Sequence, residues 1–114
     1  MNLGEFGEKY SAEYLKRKGY KILGRNVRIG RSEIDIIAKH RGLIVFIEVK
    51  TRSDDKYVDL IDSINKEQEE ALIRGCEEYM NKKELVSFDY RFDMIGIIIR
   101  NEGIDKFEHL KGFL

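Results

Sequence analysis

The 114 residues are 42% hydrophobic and 37% charged, with 21 Lys and Arg against 21 Asp and Glu, so the formal net charge is zero. That length suits one domain, residues 1–114, with a single core, and the composition excludes a disordered chain. A zero balance argues against a protein that coats nucleic acid by bulk attraction, and the longest apolar stretch, Met94 to Ile99, is too short to span a membrane.

In chain order, Gly4 to Lys18 carries apolar residues at helical intervals (Phe6, Tyr10, Tyr14, and separately Ala12 with Leu15) and stops at Gly19, which suits a helix C-terminus. Tyr20 to Ile29 reads as a strand that turns at Gly30 and Arg31. From Lys16 to Arg31 the charged residues are all basic (Lys16, Arg17, Lys18, Lys21, Arg25, Arg28, Arg31), whereas Asp54 to Glu84 is predominantly acidic. This asymmetry suits either a local phosphate-binding strip or a solvated helix end and strand edge.

Glu33 to His40 and Leu43 to Thr51 are rich in isoleucine and valine and are separated by Arg41 and Gly42, the pattern of a tight hairpin. An acidic loop from Ser53 to Ser63 precedes a second helix, Ile64 to Asn81, in which the lone Cys76 reads as a small core residue. Phe88 to Arg100 and Ile104 to Leu110 are strands around a turn at Asn101 to Gly103. The order α-β-β-β-α-β-β predicts an α/β fold, a mixed sheet of about five strands flanked by helices. With no signal-peptide pattern at the N-terminus, a cytoplasmic location is expected.

A turn at Arg41 and Gly42 sets His40 opposite Leu43 and, further along, Asp35 opposite Glu48. The same register matches Ile34 with Val49, Ile36 with Ile47 and Ala38 with Val45, one apolar face. Opposed carboxylates on neighbouring strands repel unless a cation joins them, and two such groups suit magnesium, with manganese as a substitute. Lys50 follows Glu48 by one strand repeat and emerges on the same face, where it would orient or deprotonate an attacking water and offset charge on phosphorus. Glu8 shares a helical stripe with Ala12 and Leu15 and is expected either at this site or as a first-turn partner of the helix dipole. Asp35, Glu48 and Lys50 also fit a salt-bridged solvent face.

The segments Gly4-Glu5-Phe6-Gly7-Glu8, Ser32-Glu33-Ile34-Asp35-Ile36-Ile37-Ala38, Phe46-Ile47-Glu48-Val49-Lys50-Thr51-Arg52 and Arg91-Phe92-Asp93 resemble the YraN family, small bacterial proteins assigned to the restriction-endonuclease-like superfamily. The resemblance covers nearly the whole chain. It implies that Asp35, Glu48 and Lys50 occupy the PD-(D/E)xK positions, with the Val49 backbone carbonyl completing the metal site. It also implies that Glu8 is similar to the helix-one glutamate of archaeal Holliday-junction resolvases, dimers that cut branched DNA. A DNA substrate and a homodimer are therefore expectations, as is a substrate role for Arg31, Arg52 and Lys66. Ser32 departs from the family's usual glycine. Arg52 serves equally as a phosphate grip or an ordinary edge arginine, and Lys66 as a site residue or a solvated one. Asp93 is expected to hold structure through hydrogen bonds, Glu33 to pair with Lys50, and His40 and His109 have no assigned partner. The alternative to a metal-dependent endonuclease is an accessory module that binds nucleic acid or protein on the same fold.

Overall fold

The computed structural model describes residues 1–53 and 64–114, so the acidic loop expected after Ser53 lies outside the described residues. Helix α1 (Leu3–Arg17) begins where the Asn2 side chain accepts the Glu5 N–H at 2.8 Å. It ends where Gly19, at φ 92°, lets the N–H groups of Gly19 and Tyr20 donate back to the carbonyls of Lys16 and Leu15. Helix α2 (Lys66–Lys82) starts slightly later than its apolar spacing suggests, because a reciprocal cap between Asn65 and Gln68 sets the boundary.

Strands β1 (Lys21–Ile29), β2 (Ser32–His40), β3 (Leu43–Ser53), β4 (Asp89–Arg100) and β5 (Gly103–Leu110) form one sheet in that order. All neighbours are antiparallel except β3 and β4, which run parallel from Leu43 opposite Asp89 to Ser53 opposite Ile99, with α2 in the crossover between them. The β2–β3 turn takes positive φ at both Arg41 (51°) and Gly42 (78°), the geometry that matches strand twist, and it sets His40 opposite Leu43 as predicted.

Each face of the sheet is covered by one helix. Ala12 and Leu15 of α1 pack on Ile36, Ala38, Val45 and Ile47, while Leu72, Cys76 and Tyr79 of α2 pack on Ile37, Ile44 and Phe46. Cys76 is a core residue, its thiol pushed up to about 12 by burial and by nearby Glu77, so it is inert as a nucleophile. Among the described residues no helix is long and apolar enough to cross a membrane.

The predicted register holds only from His40 to Ile36. The β2–β3 ladder ends at Ile36 opposite Ile47, so neither Asp35 with Glu48 nor Ile34 with Val49 is a ladder pair. Ile34 packs instead with the α2 cluster, on the opposite face from Ile36. Strict alternation therefore breaks at Asp35, where Asn26 on β1 also takes a positive φ of 52°.

Candidate active site at the parting of two strands

Beyond Ile36, β2 leaves β3 and stays with β1, where Val27 still faces Ile34 and Arg28 faces Glu33. The first residues past the end of the β2–β3 ladder are Asp35 and Glu48. Asp35 Oδ2 accepts the Val49 N–H at 2.7 Å, taking the place of a carbonyl that the departing strand no longer offers. The Asp35 and Glu48 carboxyl groups lie within hydrogen-bonding reach of each other.

Burial, the adjacent Asp35 and the further Glu8 push the Glu48 acid up to about 9, and Lys50 pulls it back only in part. At neutral pH Glu48 thus keeps its proton. Glu8 reaches the same notch from α1. Its acid is also raised, first by burial and then by Asp35, with relief from a hydrogen bond to the Asn26 side chain and from Arg25.

Glu48 and Lys50 open on a cleft of about 360 Å³ between the β2–β3 gap and the start of α2, with Arg31, Ser32 and Glu33 on one wall and Gln68 on the other. The parting of the strands leaves Glu33 and Lys50 without the ion pair expected between them. Arg31 stands exposed at the cleft rim. Arg52 folds back, its Nη1 donating to the Thr51 carbonyl at 3.0 Å, and Lys66 is exposed on α2 outside the cleft lining. Two contributors escaped the sequence reading. Asn26 had a usable signal, an asparagine inside a strand pattern, since this residue tolerates the left-handed region. Gln68 had only its place in the helix cap.

No three His, Cys, Asp or Glu side chains converge into a ready cage for a metal among the described residues. Two carboxylates with room for water and phosphate are nonetheless the donor set that magnesium takes, as it demands oxygen ligands and gives up its waters reluctantly. The residues present fit such an ion.

A larger cleft, about 400 Å³, lies at the other end of the sheet between Met80, Val86, Phe88 and Asp89. Asp89 faces Leu43 there, whereas Glu48 faces Met94, so this cleft is remote from the acids. The remaining polar cluster centres on fully buried Asp93, whose carboxylate accepts from Arg91 Nε at 2.7 Å, His109 Nε2 at 2.8 Å and the Gly112 N–H at 2.9 Å. His109 Nδ1 in turn shares a 3.0 Å hydrogen bond with Tyr14 Oη. His40 stacks on Tyr20 with ring centroids 4.0 Å apart. Both histidines thus have the partners that the sequence did not reveal.

Residues 7–97 match the model of the uncharacterised protein family UPF0102. Relatives described as UPF0102 proteins include one from Alkaliphilus metalliredigens, 39% identical over 89% of each chain. Another, from Clostridium acetobutylicum, is 38% identical over 87% of this chain and 81% of its own. A third, from Clostridium botulinum, is 42% identical over 86% and 80%. Among solved structures, Pyrococcus furiosus SfsA in complex with Ca2+ aligns at 14% identity with a TM-score of 0.35, over 93% of this chain and 60% of that one, too slight a likeness to build on.

Proposed function

The chain belongs to the UPF0102 family, and we propose that it is a metal-dependent phosphodiesterase of the restriction-endonuclease-like class, cutting DNA. The observation that carries this is the approach of the Asp35 and Glu48 carboxyl groups just past the point where β2 and β3 part, with Lys50 beside Glu48 in an open cleft. Magnesium or manganese, when bound, would neutralise the paired acids and act as a Lewis acid toward a phosphate oxygen. Asp35 and Glu48 would hold the ion, with Glu8 near enough to position a water and the Val49 carbonyl as a further oxygen ligand. Asp35 is fixed by its bond to the Val49 N–H, so it needs little reorganisation. Lys50 presents its ammonium to the cleft, where it stabilises the charge that gathers on phosphorus and orients the attacking water.

Cleavage of labelled duplex, flapped and four-way-junction DNA in magnesium or manganese tests this. Asp35→Ala or Glu48→Ala is expected to lower the rate by about a thousandfold or more, roughly 4 kcal/mol of barrier. A panel left uncut in both metals would remove the enzyme and leave the second reading, an accessory module that binds without cutting, which the net charge of zero favours over a general coat for nucleic acid. Resolvase-like action belongs to the same proposal and requires preference for the four-way junction. A homodimer, the form in which such a junction would be engaged from two sides, is read from sedimentation.

A further inference from the structure

Arg25 and Arg28 stand exposed on β1, one of the two edge strands, and Arg31 in the turn after it, and none forms an ion pair among the described residues. Their placement is not scattered. Arg25 lies opposite Ile36, and Ile36 packs on the α1 face, so the Arg25 side chain rises on the side from which Glu8 enters the notch. The interaction of Arg25 with Glu8 agrees with that placement. Val27 faces α2, so alternation along β1 puts Arg28 on the α1 face as well, while Glu33 opposite it borders the cleft. Arg31, past the strand end, turns to the other side and lines the cleft with Glu48 and Lys50. The three cations therefore bracket the acidic notch, two on its α1 side and one on its cleft side. From β2, Glu33 lies opposite Arg28 and Asp35 lies across from Asn26, and neither closes a salt bridge with the row among the described residues.

At about 3.3 Å per residue the row from Arg25 to Arg31 covers roughly 20 Å, about six nucleotides of duplex rise at ~3.4 Å each. Guanidinium groups grip phosphate through paired N–H donors and stay charged at every working pH. The exposed outer face of α2 offers the contrary surface, with Glu67, Glu70 and Glu77, while Glu78, which borders a pocket beside Gly30 and Arg31, is paired with Lys82 at 3.2 Å. A polyanion is thus drawn to the β1 edge and repelled from α2.

We infer that the β1 edge is the nucleic-acid docking surface, with Arg25, Arg28 and Arg31 holding backbone phosphates spaced along about six nucleotides so that a phosphodiester lies across the notch of Asp35 and Glu48. This rests on the phosphodiesterase proposal for the choice of ligand, but it is tested without hydrolysis. Binding of a fluorescein-labelled 20-base-pair duplex is followed by anisotropy in EDTA from 50 to 200 mM NaCl. Three phosphate contacts give a log–log salt slope of about −2.7 from this row, a loss of roughly fortyfold in affinity over that range. Arg25→Gln with Arg28→Gln and Arg31→Gln is expected to shrink the slope by about 2.7, and the three Arg→Lys changes to keep most of it. The control removes equal charge elsewhere, by Lys82→Gln, Lys83→Gln and Lys111→Gln. Thermal melting of each variant confirms that it is folded.

A slope changed as much by the control as by the arginine variant overturns the inference, as does binding to anionic phospholipid vesicles with none to the duplex. Arginine-dependent binding with no cleavage in any metal supports the docking surface while removing the phosphodiesterase. Cleavage with a slope indifferent to the arginines does the reverse.

Discussion

Two groups of buried acid sit on this sheet and behave in opposite ways. Asp93 is wholly buried, and burial alone would raise its acid, yet His109, Arg91 and the Gly112 N–H hold it below its ordinary value. Glu48 is less enclosed, and its acid rises to about 9, because beyond burial its closest neighbour is a second carboxylate. Depth of burial does not separate them. The company of each acid does: a carboxylate met by cations and N–H groups is finished, whereas one met by carboxylates lacks a positive partner that a metal ion can supply. Helix α1 touches both groups, Glu8 facing Asp35 and Tyr14 bonded to His109, so its seating bears on both.

The sharpest way to break this contrast is to remove the finished acid. Asp93→Asn leaves the partly buried Arg91 guanidinium without its counter-charge and takes one carboxylate acceptor from Arg91, His109 and the Gly112 N–H, and is expected to destabilise the fold by about 3–5 kcal/mol in urea unfolding. Glu48→Gln, by contrast, replaces a group that already carries a proton with a neutral isostere. It should leave stability in EDTA unchanged or raised while abolishing manganese binding by calorimetry. Equal losses from the two substitutions would show that both acids are structural.

The second expectation concerns how α1 is seated. A Cβ added to Gly7 would overlap Thr51 Oγ1, so helix and strand meet there with no room for a methyl group. Alanine is favoured over glycine by about 1 kcal/mol in a helix interior, but overpacking of this kind costs about 1–3 kcal/mol. Gly7→Ala should therefore be destabilising on balance, and by displacing Glu8 it should lower cleavage more than it lowers duplex affinity. A stabilised Gly7→Ala protein would mean that α1 is free to ride higher on the sheet.

How much of this was legible in the sequence follows from the range of each interaction. The hairpin turn announces itself in Arg41-Gly42, and the register from His40 to Ile36 follows from it by counting, which brings Asp35 to Glu48. Counting fails one step later. The strands separate at Asp35, an event set by the side chain's bond to the Val49 N–H and by the left-handed backbone of Asn26 across β1, and strict alternation contains neither. Hence counting puts Ile34 on the wrong face and gives Glu33 a partner it does not reach. The Asp93 cluster was half legible: an acid among apolar residues demands hydrogen bonds, but its partners come from β5 and the C-terminal turn, through contacts between distant parts of the chain. Local chemistry could be read, and pairings that depend on where strands cease to pair could not.

The smallest effect is the most discriminating, because the two acids give stability slopes of opposite sign. Asp93 has a folded-state acid below its unfolded value of about 3.8, so its contribution is complete above that value and is lost as pH falls through the lower folded one. Glu48 has a folded-state acid raised from 4.5 to about 9, so the folded protein binds more protons than the unfolded chain between those limits, and metal-free stability falls as pH rises through them. One proton sets the ceiling of that slope at about 1.4 kcal/mol per pH unit, and solvent around the half-buried Glu48 makes it a fraction of that. Urea midpoints in EDTA between pH 5 and 9 should show the decline, Glu48→Gln should flatten it, and saturating manganese should abolish it, since metal binding displaces the Glu48 proton and leaves folded and unfolded states equally deprotonated there. A wild-type midpoint independent of pH in EDTA would place Glu48 among the finished acids, together with Asp93, and leave the notch without the unmet charge that a cation would answer.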